Sequence, residues 1–122
     1  MNNPPHILLV DDDRQVVKYL KKALVEGGYT VTTTTSGQQA LDLIEERMPD
    51  LLILDLQMPE PDGFDLLKAE HAKFPYLRIL VISGYLHGAL LGAAKIFGAF
   101  ATLEKPVTAD ALVAKVREIL GR

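Results

Sequence analysis

Two short apolar runs in this chain end in carboxylates. Ile7-Leu8-Leu9-Val10 leads into Asp11-Asp12-Asp13, and Leu51-Leu52-Ile53-Leu54 leads into Asp55. Carboxylates that share a site repel one another by several kcal/mol at about 4 Å and an intermediate dielectric. A fold that gathers such a cluster keeps it for a cation, a proton or a reaction. Ser83 stands at the end of another apolar run, Arg78 to Ile82, and Lys105 follows the run Phe100 to Glu104. A carboxylate cluster, a hydroxyl and an ammonium are candidates for one site if the fold brings these run ends together.

Continuous apolar runs of this length suit strands buried on both faces of a parallel sheet. Between them lie segments of helical period. Val16, Val17, Leu20, Ala23 and Leu24 form one face of a first helix that ends at Gly27-Gly28. Tyr29 to Thr35 reads as a second strand, polar enough for a sheet edge. Ser36 and Gln39 have capping-box spacing before a helix carrying Ala40, Leu41 and Ile44. Asp62 is the expected N-cap of a third helix through Phe64 and Leu67, after the loop Met58-Pro59-Glu60-Pro61. A fourth helix is expected over Leu86 to Phe97, weakened by Gly88 and Gly92 at about 1 kcal/mol each. Thr108 caps the last, which carries Leu112, Val113, Val116, Ile119 and Leu120. Strict alternation predicts an α/β fold, a doubly wound five-stranded parallel sheet flanked by five helices. In the order 2-1-3-4-5 the first and third strands are neighbours at the switch point. Asp11, Asp12 and Asp55 then converge, with Ser83 beside them and Lys105 two strands away, roughly 10 Å.

At 122 residues, with 48% hydrophobic and 24% charged residues, the chain reads as one domain with a single real core. A net charge of -3 without a basic run argues against binding nucleic acid directly. The absence of cysteine removes disulfides, thiolate metal sites and cysteine nucleophiles, and fits a cytoplasmic setting. No apolar stretch reaches membrane-spanning length. His6, His71 and His87 lack metal-ligand spacing and are expected to be exposed.

The runs Ile7 to Asp13 and Asp50 to Asp55, Met58-Pro59 with Asp62-Gly63, Ile82-Ser83-Gly84 and Lys105-Pro106 resemble, in order, the receiver domain of two-component response regulators. The resemblance spans residues 1–122 as a single CheY-like (flavodoxin-like) receiver with no output domain. It implies that Asp55 is the phosphoacceptor, taking a phosphoryl group from a histidine kinase or phosphotransfer protein. It further implies Mg2+ as cofactor, bound by Asp12, Asp55 and the Gln57 carbonyl, with Asp11 acting through water. Ser83 would be the switch hydroxyl, Lys105 the cation for the phosphoryl group, and Pro106 the partner in a cis peptide bond. Such a domain is a signalling switch, not an enzyme beyond its own phosphorylation and dephosphorylation. Its output surface is the fourth helix, fifth strand and fifth helix, which meets an effector or output domain or a second copy of the chain. Gln57 and Tyr85, each two positions beyond Asp55 or Ser83, are candidates for tuning water access. The chain departs from the family pattern at Thr102, where an aromatic usually serves as rotameric switch. Phe100, about 6–7 Å upstream on the same face, is the candidate substitute.

Plainer readings exist for single residues. An acidic run before a helix is commonly a cap complementing the helix dipole, and Asp13 is assigned that role. A strand-end serine is commonly a backbone cap, and a lone lysine a surface charge. Two competing functions remain. A small Mg-dependent phosphohydrolase of the haloacid dehalogenase type would use Asp11 and Asp13. A degenerate receiver would serve only for docking.

Overall fold

The computed structural model of the protein describes residues 3–57, 63–84 and 91–122. Among the described residues the elements alternate: β1 (His6–Val10), α1 (Arg14–Glu26), β2 (Thr30–Thr34), α2 (Gly37–Glu46), β3 (Leu51–Asp55), α3 (Gly63–Lys73), β4 (Ile79–Ser83), α4 (Leu91–Ile96), β5 (Ala101–Glu104) and α5 (Ala109–Leu120). The strands form one parallel sheet in the order β2-β1-β3-β4-β5. The doubly wound topology expected from the alternation is therefore present.

Every residue of β1, β3 and β4 is buried, whereas β2 and β5 are partly exposed, as edge strands must be. Alternate side chains feed two cores. On one face Ile7, Leu9, Ile53, Leu80 and Ile82 pack under Leu20 and Leu24 of α1 and Leu112 and Val116 of α5. On the other Leu8, Val10, Leu52, Leu54 and Val81 meet Ile44 of α2, Leu67 of α3 and Ala94 of α4. Burying one such side chain contributes roughly 1.5–3 kcal/mol, so apolar burial on both faces fixes the sheet.

Local signals set the helix starts. Asp13 accepts hydrogen bonds from the Gln15 and Val16 amides, Ser36 from Gln39 and Thr108 from Ala111. The capping box at Ser36 is only half formed. The Gln39 side chain does not return to the Ser36 amide; its Oε1 accepts from the Thr34 hydroxyl at 2.5 Å, and the Ser36 amide donates to that hydroxyl instead. Gly63 opens α3 pressed against the backbone of Leu56, where an added Cβ would lie 2.4 Å from the Leu56 Cα. Any side chain there would push α3 away from the end of β3.

The expected loop and N-cap at Met58 to Asp62 lie outside the described residues, as do Tyr85, His87, Gly88 and the rest of the first half of the expected fourth helix. Two sequence expectations change. His6 is buried, not exposed, because it opens a central strand; its Nε2 lies 2.8 Å from the Thr32 hydroxyl. Phe100 precedes β5 instead of opening it, and its amide donates to the Ile79 carbonyl at 2.8 Å.

Candidate functional site

The registers place the chemistry. Val10 pairs with Leu54, so Asp11, one residue on, lies level with Asp55 at the end of β3. Asp55 pairs with Ile82, and Ser83 with Glu104, so the next residues, Ser83 and Lys105, close the same edge. Asp11, Asp12 and Asp55 each bring a carboxylate oxygen within 4.8 Å of the others. Asp11 and Asp55 are buried while Asp12 is exposed, so the cluster opens to solvent on one side.

Lys105 reaches farther into the cluster than strand spacing alone implies. Its Nζ stands 2.9 Å from Asp11 Oδ2 and 3.3 Å from Asp55 Oδ2, bridging the two buried acids. Burial works against the ammonium, but its hydrogen bond to Asp11 and the charges of both aspartates outweigh that, and its pKa is raised. Burial pushes the Asp55 carboxyl up to about 6; the Gln57 amide and Lys105 oppose the shift and the Asp11 charge adds to it. The second oxygen of Asp55, Oδ1, accepts from the Gln57 backbone amide at 3.0 Å. Asp11 Oδ1 accepts from the Asp13 amide at 3.0 Å. Both buried carboxylates are thus held in orientation by a backbone amide on one oxygen and the lysine on the other.

The remaining candidates fall into two groups. Ser83 is fully buried at the end of β4, and its carbonyl accepts from the Lys105 amide at 3.0 Å. The Gln57 side chain accepts from the Gly84 amide at 3.3 Å, tying the loop after β3 to that after β4. The Lys105-Pro106 bond is cis. Thr102 alternates with Ala101 and Leu103, which pack toward α1 and α5, so it faces the α4 side of β5. Phe100 is not brought to the site. It lies level with Ile79, four residues or about 13 Å of strand below Ser83, with the Arg78 guanidinium 5.4 Å from its ring centre. Asp13 points its carboxylate at the α1 amides, so an Asp11–Asp13 pair does not form the cluster.

One buried acid was missed by the sequence reading. Glu70 on α3 is fully buried with both carboxyl oxygens unpartnered, and burial pushes it up to about 8. Its position three residues after Leu67, on the inner face of the helix, was the available signal.

The donor set suits a hard cation. All three acids offer oxygen, with neither sulfur nor imidazole among the cluster, which is the pattern for Mg2+ or a similar ion. Three carboxylates against a single ammonium leave an excess of negative charge that such an ion would balance.

An open doubly wound sheet with an acid cluster and a bridging lysine at its switch point defines a class of α/β domains built around one buried strand-end aspartate. The family model of the response regulator receiver domain matches residues 7–117, and the chain belongs to that family. It is 36% identical over 119 residues to the response regulator MprA of Mycolicibacterium vanbaalenii, covering 98% of this chain and 52% of that protein. It is 41% identical over 118 residues to the transcriptional regulatory protein CpxR of Escherichia coli K12, covering 95% and 49%. The CheY-like receiver domain protein of Methanospirillum hungatei superposes with a TM-score of 0.89 at 29% identity, over 97% of this chain and 94% of that one. The receiver domain of NtrX from Brucella abortus gives 0.88 at 31% identity, over 94% and 98%. The chain spans about half the length of MprA and CpxR and nearly all of these receiver structures. It is a phosphoacceptor-type signalling switch of two-component systems. Among the described residues, no helix is long and apolar enough to cross a membrane.

Proposed function

We propose that Asp55 is the phosphoacceptor and that Asp12, Asp55 and the Gln57 carbonyl hold Mg2+, with Asp11 beside them. The observation that carries this reading is the Lys105 ammonium set between Asp11 and Asp55 while a backbone amide fixes the other oxygen of each acid. A nucleophile so oriented needs little reorganisation before attack. An Asp55 oxygen attacks phosphorus, the P–N bond of the donor phosphohistidine breaks, and its electron pair stays on the imidazole nitrogen. Lys105 then pairs with the phosphoryl oxygens, and the Ser83 hydroxyl donates to one of them. When bound, Mg2+ neutralises charge on the acids and on the transferred group.

The acyl phosphate adds negative charge at the end of β3. Ser83 and Lys105 follow it, and the change passes to α4, β5 and α5, the surface we assign to an effector, an output domain or a second copy. Gln57 and Tyr85 tune the access of water to the phosphoryl group. The donor class is a sensor histidine kinase or phosphotransfer protein. Intact-mass measurement with acetyl phosphate and Mg2+ tests the site. The wild type gains one phosphoryl group that maps to Asp55, and Asp55→Asn gains none. A label on Asp11, or the same uptake by Asp55→Asn, would overturn the assignment.

A further inference from the structure

Lys105 opens a short connection, since β5 ends at Glu104 and α5 begins at Ala109. One end of that connection is held where the Lys105 amide donates to the Ser83 carbonyl at 3.0 Å. The other end is held from α1, where the Tyr19 hydroxyl accepts from the Ala109 amide at 3.1 Å. Ala109 is the first residue of α5, so its amide has no acceptor within the helix. The N-cap Thr108 does not supply one, because its hydroxyl accepts from the Ala111 amide instead. Among the described residues, no other side chain bonds the backbone of residues 106–109.

A half-exposed tyrosine on a helix is ordinarily a solvated side chain. Two observations set Tyr19 apart. Its oxygen serves the backbone of a neighbouring helix, and its ring stands over the connection that carries Lys105. A cavity of about 380 Å³ lies between α1 and that connection, lined by Val16, Tyr19, Leu20, Lys105, Pro106 and Val107. Val16 and Val107 pack against the core, but the cavity interrupts contact between α1 and the connection. Where close contact is missing, packing restrains the chain less, and a directed bond at its end matters more. Four residues of chain span at most about 14 Å, so fixing Ala109 bounds how far the Lys105 backbone can drift.

Given Lys105 as the cation for the phosphoryl group, we propose that Tyr19 is a positioning residue for it. The Tyr19 hydroxyl anchors the start of α5 and so keeps the lysine side chain set between Asp11 and Asp55. Tyr19 does not touch the phosphoryl group; it acts only through the connection.

Tyr19→Phe removes the hydroxyl and keeps the ring. Two measurements test it: acylation of each lysine by an amine-reactive ester, mapped by mass, and the rate of Asp55 phosphorylation by acetyl phosphate with Mg2+. A lysine engaged by two carboxylates is withheld from the ester. In Tyr19→Phe, acylation of Lys105 is expected to rise about fivefold, with Lys18, Lys95 and Lys115 unchanged. The phosphorylation rate falls by about the same factor, and in a Lys105→Met background Tyr19→Phe causes no further loss. Tyr76→Phe, the same change at a tyrosine on the far side of the sheet, alters neither measurement. Unchanged acylation of Lys105 in Tyr19→Phe would overturn the proposal alone. So would a rise shared by all lysines, or an equal loss of rate with and without Lys105. Lys105→Met phosphorylated as fast as the wild type would overturn the role of Lys105, and the proposal with it.

Discussion

Glu70 shows how far one residue can depart from its surroundings. It sits on the inner face of α3 among Leu66 and Leu67, with neither oxygen hydrogen-bonded. A buried carboxyl without partners stays protonated, and its pKa of about 8 lies above the unfolded value of 4.5. Between those values the unfolded chain has released the proton that the folded chain still holds, so stability is highest below the unfolded pKa and falls as pH rises toward the folded one. The slope approaches about 1.4 kcal/mol per pH unit. Glu70→Leu is expected to raise stability at pH 7 by about 2–4 kcal/mol and to flatten the fall between pH 5 and 8. Urea unfolding at several pH values reads both effects, and a parallel fall in wild type and variant would contradict the assignment. Asp11 and Asp55 are also buried, yet they keep a lysine and backbone amides as partners. Partnership, more than burial, separates the acids of the site from the acid in the core.

At the level of elements, α3 and the end of α4 are joined by an aromatic contact. The Phe64 and Phe97 rings meet edge to face at 5.9 Å, and Lys68 Nζ lies 4.8 Å from the centre of the Phe97 ring. The turn closes further at Gly98, whose φ of +117° suits glycine and whose added Cβ would lie 2.4 Å from the His71 ring. Since α3 begins against Leu56, next to Asp55, this contact links the site to α4 without any aromatic at Thr102. Phe97→Leu removes the ring pair and the cation contact and is expected to cost about 1–2 kcal/mol. Lys68→Met removes the cation alone and should cost about 0.5–1 kcal/mol. Equilibrium unfolding of both variants distinguishes them, and equal losses would place the energy in Lys68. The helix starts behave more locally. Thr108→Ala takes the acceptor from the Ala111 amide at 3.1 Å and is expected to cost about 1 kcal/mol.

For the molecule as a whole, charge is distributed unevenly. The acid cluster opens at the carboxyl edge of the sheet, while α1 carries exposed cations alongside it. An ion bound only by the folded state stabilises it by about 2.7 kcal/mol at a hundredfold excess over its dissociation constant. Saturating Mg2+ is therefore expected to raise the Tm of the wild type, chelation to reverse the rise, and Asp12→Asn to abolish most of it. An undiminished rise in Asp12→Asn would remove Asp12 from the donor set. The exposed side chains of Ile96 and Phe100 flank β5 on the proposed output side.

The alternation of runs, the topology and the caps at Asp13, Ser36 and Thr108 were legible in the chain because each rests on periodicity or on side chains within a few residues of the backbone they serve. The convergence of Asp11, Asp12 and Asp55 was legible too, since it needs only the strand order. Other features depended on contacts between distant segments. Strand spacing could bound the reach of Lys105 but not show it bridging Asp11 and Asp55. The registers carried Phe100 to the far end of β5, central packing buried His6, and the inner face of α3 enclosed Glu70. Gln39 turned to Thr34 instead of completing its cap because β2 brought a hydroxyl within reach. Local sequence determines which elements form and which groups they present; only packing selects the neighbour each side chain meets, because that choice minimises the free energy of all the contacts together.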